Sequence, residues 1–170
     1  MALTFLRHAA LPIEHQGRYN GWRDIPLDKR LFDLKKVEEL KKRTFDTIYS
    51  SDLTRCLETV ELLFDGRLKP YPTTALREVK FNEEIEGKSF EEIEKLASFR
   101  PSYLESNSSW HHYICAESEN KFNTRLKAFL DTLPNDKNIL ICSHAGAITA
   151  MLTILNRPYI KLDYLEYYEL

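Results

Sequence analysis

The sequence predicts the α/β class: a three-layer α/β/α sandwich around a central, mostly parallel sheet. Two observations carry that expectation. Short apolar runs alternate with segments of helical period along the whole chain, and strands separated by helices pair in parallel through crossovers. No repeat, low-complexity tract or linker divides the sequence, so one domain, 1–170, is expected.

The elements come in this order. Residues 3–6 are a short apolar run, read as a first strand. Leu31, Leu34, Val37 and Leu40 recur at helical spacing among lysines and glutamates, which predicts a surface helix. Thr47-Ile48-Tyr49-Ser50 is a second strand, and residues 53–64 a helix ended by Gly66 and, further on, Pro70. A third strand is expected before Leu76, and Phe90, Ile93 and Leu96 suggest another helix. Residues 100–116 show no clear period and read as a loop or small cap, around 98–117. Phe122, Leu126, Phe129, Leu130 and Leu133 form the cleanest helical face, stopped by Pro134. A buried strand at 139–142, a helix at 145–155 and a β-prone segment at 164–170 complete the chain.

Composition narrows the function. With 43% hydrophobic and 29% charged residues in 170, the chain is an ordinary globular one, large enough to bury a core. A formal net charge of −2 gives no footprint for nucleic acid or an anionic membrane. The charge-free stretch 139–155 falls short of the ~20 apolar residues a spanning helix needs, and polar residues interrupt it. Cys56, Cys115 and Cys142 form neither a C-x-x-C pair nor a disulfide framework. With no cationic leader before residues 3–6, they point to a reducing, cytoplasmic setting.

In parallel sheets, ligands sit beyond the carboxyl ends of the strands. Arg7-His8 comes after the first strand here, Ser51-Asp52-Leu53-Thr54-Arg55 after the second, and Ser143-His144-Ala145-Gly146 after the strand at 139–142. Two histidines and two arginines thus collect at one edge of a net-negative protein. A neutral imidazole is a competent nucleophile toward phosphorus. The transferring phosphoryl group carries charge on three oxygens, which arginine forks suit better than lysine points. A departing alkoxide needs a proton, and Glu78 in Leu76-Arg77-Glu78 is the natural donor.

These motifs resemble those of the histidine phosphatase superfamily, the phosphoglycerate-mutase-like group. Its Arg-His-Gly appears as Arg7-His8-Ala9, and its Ser-x-Leu-x-Arg as Ser51-Asp52-Leu53-Thr54-Arg55. Its Leu-x-Glu matches Leu76-Arg77-Glu78, and its Ser-His-Gly-Gly matches Ser143-His144-Ala145-Gly146. Asn20-Gly21-Trp22-Arg23-Asp24-Ile25-Pro26-Leu27 is similar to the family's Gly-x-x-Asp-x-Pro-Leu loop beside the phosphate pocket. Glu117-Ser118, eight residues before Arg125, resembles its Glu-Ser entry to a helix. The resemblance implies His8 as nucleophile, Glu78 as proton donor, and Arg7, Arg55 and His144 holding the phosphoryl oxygens. It places Asn20, Gly21 and Ala145 against the substrate, and implies no metal and no organic cofactor.

The departures are local. Ala9 and Ala145 replace glycines, and both are small enough for backbone to approach a phosphate. Glu14 stands where many members have asparagine; beside a phosphate dianion it is repulsive, so it is expected to point outward or meet another substrate group. The stretch Phe81-Asn82-Glu83-Glu84-Ile85-Glu86-Gly87 is one residue longer than the family pattern and lacks its first glycine, which leaves Glu83 or Glu84 open as the acid.

Other motifs have plainer readings. His111-His112 lacks a ligand spacing and reads as a loop pair. Asn107-Ser108-Ser109 is a sequon by pattern only. Gly87-Lys88-Ser89 imitates a P-loop end, but Asn82 stands at the required glycine and the neighbouring glutamates repel a triphosphate. Tyr159, Tyr164, Tyr167 and Tyr168 read as strand packing or a homodimer contact.

The implied function is a phosphomonoester phosphatase acting on a small phosphorylated metabolite through a phosphohistidine. Its size and the loop at 17–27 resemble the compact α-ribazole 5′-phosphate phosphatases of cobalamin assembly. The alternatives are a phosphoglycerate mutase, a protein phosphohistidine phosphatase and, in a different class, a non-catalytic phosphate-binding domain. Cofactor-dependent mutases of the group carry an arginine-bearing insert, against which the middle loop here has only Arg100.

Overall fold

A computed structural model describes residues 2–170. Its centre is a five-stranded mixed sheet built from β1 (Ala2–Arg7), β2 (Thr47–Ser51), β3 (Tyr71–Thr73), β4 (Asn138–Ser143) and β5 (Tyr167–Glu169), in the order β3-β2-β4-β1-β5. The pairs β3/β2, β2/β4 and β4/β1 are parallel; β5 closes the edge antiparallel to β1. Register puts Arg7 opposite Ser143 and Ser50 opposite Cys142. The three functional strand ends therefore finish level with one another.

Side-chain alternation assigns the layers. Leu3, Phe5, Ile139 and Ile141 face one side, against Phe122, Leu126 and Phe129 of α5 (Glu119–Leu130) and Ile148, Met151 and Leu152 of α6 (Ala145–Ile154). Leu6, Ile48, Leu140 and Cys142 face the other, against Cys56, Val60 and Leu63 of α2 (Thr54–Leu63). The expected α/β/α layering is what the chain forms. The stretch at 139–155 divides into β4 and α6, and among the described residues no helix is long and apolar enough to cross a membrane.

Several expected elements differ. The helix over 31–40 is instead two 3-10 turns, Lys29–Leu31 and Leu34–Val37, and a single α-turn, α1 (Glu38–Lys41). Asp28 and Asp33 accept from the backbone N–H of Arg30 and Lys35, which starts short turns rather than one continuous helix. Only Val37 and Leu40 of the periodic four are buried. The helix at Phe90 is also one turn, α3 (Phe90–Ile93), opened by a Ser89/Glu92 capping box; the P-loop-like Ser89 is a helix cap. The aperiodic 100–116 region contains a 3-10 turn, Pro101–Leu104, and a real helix, α4 (Asn107–Ile114), capped by Ser106. Its apolar residues form a small third core, with Ile85, Ile93 and Ile114 buried among Tyr19, Phe81, Trp110 and Tyr113.

Candidate active site

The carboxyl ends of β1, β2 and β4 open into a cavity of about 340 Å³ lined by Arg7, His8, Arg55, Glu78 and His144. Asn20, Gly21 and Ala145 also line it, so every site residue expected from the sequence meets here. A second hollow of about 360 Å³ adjoins it through Ala145, Gly146 and Lys161.

His8 follows the last residue of β1, its backbone N–H bonded to the Ser143 carbonyl. Its Nδ1 lies 2.7 Å from the Ala9 carbonyl. A carbonyl only accepts, so Nδ1 carries the proton and Nε2 keeps the lone pair. The Ala9 N–H donates to Thr59 Oγ1 at 2.9 Å, which ties this turn to α2. Burial pushes His8 well below the ordinary imidazole value of 6.5, and the charges of Arg55 and Arg7 push the same way; the bond to Ala9 opposes them.

Arg55 is almost fully buried in the first turn of α2. It donates from Nη1 to the Arg23 carbonyl (2.7 Å), from Nη2 to the Gly21 carbonyl (2.8 Å) and from Nε to His144 Nδ1 (3.2 Å). Two of a guanidinium's five N–H groups remain for an anion. The loop at 20–27 wraps this turn: Asp24 accepts from Thr54 N and Oγ1, and Glu58 accepts from Leu27 N. Gly21 sits at φ +45, and a Cβ there would lie 2.7 Å from the Phe81 ring, so glycine alone fits.

His144 is the N-cap residue of α6. Its Nδ1 accepts from Arg55 and its Nε2 donates to Ser51 Oγ at 2.9 Å. With its ring 5.2 Å from that of His8 it therefore orients Arg55, and neither nitrogen is left to hold a phosphoryl oxygen as the resemblance implied. Burial first, then the charges of Arg55, His8, Arg7 and, least, Arg125, holds it well below 6.5. Arg7 donates to the Leu162 carbonyl at 2.7 Å and stacks on Tyr164 at 4.1 Å. Tyr164 also lies 5.6 Å from the His8 ring. It precedes β5 and lines the cavity, which corrects its reading as strand packing.

Glu78 Oε2 accepts from the Gly146 N–H at 2.9 Å and Oε1 from the Val79 N–H at 3.0 Å. A Cβ on Gly146 would come within 2.6 Å of this carboxylate. Glu83 and Glu84 are exposed and away from the cavity wall; Glu84 accepts from Ser98 Oγ. Glu14 is likewise exposed, outside the cavity lining. Among the described residues no cluster of three or more His, Cys, Asp or Glu is placed to hold a metal ion.

The pattern of the histidine phosphatase superfamily (branch 1) matches residues 3–168. The chain belongs to that superfamily. Within it, the sequence is 26% identical over 175 residues to an adenosylcobalamin/α-ribazole phosphatase of Salmonella typhimurium, covering 95% of this chain and 83% of the relative. It is 22% identical over 191 residues to a 2,3-bisphosphoglycerate-dependent phosphoglycerate mutase of Methanosarcina mazei, covering 88% and 78%. Its fold is similar to that of a putative α-ribazole-5′-P phosphatase of Escherichia coli, with TM-score 0.80 at 22% identity over 99% of this chain and 89% of that one. Histidine phosphatases of this superfamily thus include both hydrolases and mutases among this chain's relatives.

Sequence reasoning missed Arg18, Tyr19, Phe81, Lys161 and Tyr164 on the cavity wall. Tyr19 and Phe81 meet edge to face at 5.3 Å, and Arg18 is held by Glu92 and the Gly87 carbonyl. No periodicity marks them, because their contacts join segments far apart in the chain.

The two neutral imidazoles set a pH dependence. The folded protein resists protonating them, whereas the unfolded chain takes up protons below about 6.5. Stability therefore falls as pH drops below that value, with a slope set by up to about one proton per histidine, and these residues contribute no slope well above it. Urea midpoints at about pH 7.5 and about pH 5.5 should show the decline, smaller in His8→Ala. An unchanged midpoint would mean that the pair is protonated in the fold.

Proposed function

We propose that this protein is a phosphomonoester phosphatase working through a phosphohistidine. The observation that carries the reading is His8: its proton is fixed on Nδ1, leaving Nε2 as the free nucleophile between Arg7 and Arg55. Nε2 forms a bond to phosphorus as the bond from phosphorus to the ester oxygen breaks, and protonated Glu78 gives its proton to that oxygen. Glu78, now a carboxylate, takes a proton from water as the water oxygen attacks phosphorus. The P–N bond breaks, inorganic phosphate leaves and His8 is restored.

Hydrolysis is favoured over mutase chemistry by the cations present. Beyond Arg7 and Arg55 the wall offers Arg18, already paired with Glu92, and Lys161. Arg100 donates to the Ala97 and Phe99 carbonyls and lies outside the cavity lining. A second phosphate finds no arginine clamp. The substrate is a small phosphorylated metabolite, and α-ribazole 5′-phosphate is the first candidate because two related chains carry that name.

The test is a panel of p-nitrophenyl phosphate, α-ribazole 5′-phosphate, 3-phosphoglycerate and a phosphohistidine protein, run with Glu78→Gln beside wild type. An alkoxide needs its proton and a nitrophenolate leaves almost unaided. Glu78→Gln should lower kcat/KM, which reports departure of the leaving group, about 10²-fold or more on the sugar phosphate and far less on p-nitrophenyl phosphate. Selective loss in Glu83→Gln or Glu84→Gln instead would move the acid, and faster phosphoglycerate isomerisation than hydrolysis would make the protein a mutase.

A further inference from the structure

We propose that Arg125, held by Glu117, is the positioning residue for Glu78; this rests on Glu78 being the proton donor. Glu78 lies in no helix or strand, so no backbone ladder fixes it. Its carboxylate tip is anchored at Gly146 N and Val79 N, and its own carbonyl accepts from Trp22 Nε1 at 2.8 Å. The residues before it are held by Arg77 forking onto Asp52 at 2.7 Å and by Ser143 Oγ donating to the Leu76 carbonyl at 2.7 Å; the carbonyls on either side of Leu76 go to one guanidinium on α5.

Arg125 Nη1 donates to the carbonyls of Ala75 (2.8 Å) and Arg77 (3.0 Å), with Thr74 at 3.5 Å, and Nη2 reaches the Glu78 carbonyl at 3.4 Å. Its Nε and Nη2 fork onto Glu117 at 2.9 and 2.7 Å. Glu117 then grips the chain beyond Glu78: Oε2 accepts from Lys80 N at 3.4 Å, while the N–H groups of Ala116 and Glu117 donate to the Lys80 carbonyl. One ion pair thus clamps the backbone on both sides of the acid.

An exposed ion pair eight residues apart is ordinarily worth little. This one is not exposed, with side chains 19% and 13% accessible, and its free donors go to the one segment that carries Glu78. Arg125 lines neither hollow, so it acts through that segment and not on substrate. His8, Arg7, Arg55 and His144 make no hydrogen bond to it. Loosening the clamp therefore displaces the proton donor and leaves the phosphoryl cradle in place, and a shift of about 1 Å in a catalytic group costs up to ~10²-fold.

The experiment compares Arg125→Ala, Arg125→Lys and Glu117→Gln with Glu78→Gln, on glycerol phosphate and on p-nitrophenyl phosphate. Thermal unfolding is followed alongside. For Arg125→Ala the expected result is a kcat/KM, which reports formation of the phosphoenzyme, lower by about 10-fold or more on the alkyl ester and by less than about 3-fold on the nitrophenyl ester. Glu117→Gln should show a weaker form of the same pattern, and Arg125→Lys a partial recovery. In a Glu78→Gln background Arg125→Ala should add almost nothing, because the group it positions is already gone. Equal loss of kcat/KM on both esters, or full additivity with Glu78→Gln, overturns the clamp. If Arg125→Ala does not fold, Glu117→Gln decides between the same outcomes. A Glu78→Gln variant with no leaving-group dependence overturns the proton-donor reading itself; a selective Glu78→Gln beside a flat Arg125→Ala overturns the clamp alone.

Discussion

His8→Ala should lose turnover by about 10⁴-fold or more on every phosphomonoester, whatever its leaving group. The wild type quenched during turnover should carry one phosphoryl group that survives alkali and is lost in acid, the signature of a P–N bond. The expectation rests on three features that coincide on one ring. Burial and two flanking guanidiniums keep it unprotonated. The Ala9 carbonyl fixes the proton on Nδ1, and the Ser143 carbonyl pins its backbone at the end of β1. No other side chain on the wall combines a free lone pair with two arginines. Rapid-quench trapping with ³²P-labelled substrate checks it, and near-normal activity in His8→Ala would require a different nucleophile.

Arg55→Ala should lower kcat/KM by about 10²–10³-fold, on nitrophenyl and alkyl esters alike. The charge it meets sits on the transferring phosphoryl group, which is the same for both. That uniformity separates it from Glu78→Gln. The variant also leaves the Gly21 and Arg23 carbonyls without their donor, at about 1–3 kcal/mol for the buried Gly21 carbonyl left unpaired. Arg55→Lys should restore little, because one ammonium cannot satisfy two carbonyls, His144 and a phosphoryl oxygen from one point. Steady-state kinetics with a parallel melting curve separate the two losses; a stable Arg55→Ala with wild-type kinetics would place the residue outside the reaction.

Much of this site was legible in the sequence because its residues sit at the ends of strands. β1 and β4 announce themselves as apolar runs and β2 as a short β-prone one, and the residues just after each are forced to the same sheet edge. Local pattern was enough for His8, Arg55 and His144. It failed where the decisive contacts are distant or polar. Asp28 and Asp33 break a good helical period by bonding nearby N–H groups. Tyr164 looks β-prone yet turns to stack on Arg7, at the opposite end of the chain. Which of Glu78, Glu83 and Glu84 reaches the cavity depends on the turn at 82–86, closed by bonds from Ile85 and Glu86 to the Asn82 carbonyl. Hydropathy does not encode that.

The small third core has an evolutionary consequence. Its three buried isoleucines, Ile85, Ile93 and Ile114, belong to neither cluster that packs the sheet, and among the described residues Phe81 and Cys115 alone sit on the seam with the cluster of α5 and α6. Yet this cluster holds Tyr19 and Phe81, two walls of the cavity. Mutations there alter the shape presented to a visiting molecule without straining the strand ends that carry His8 and His144. The protein is thereby divided into a fixed engine and an interchangeable mouthpiece, and a library confined to residues 81–116 is the economical way to redirect it toward new esters.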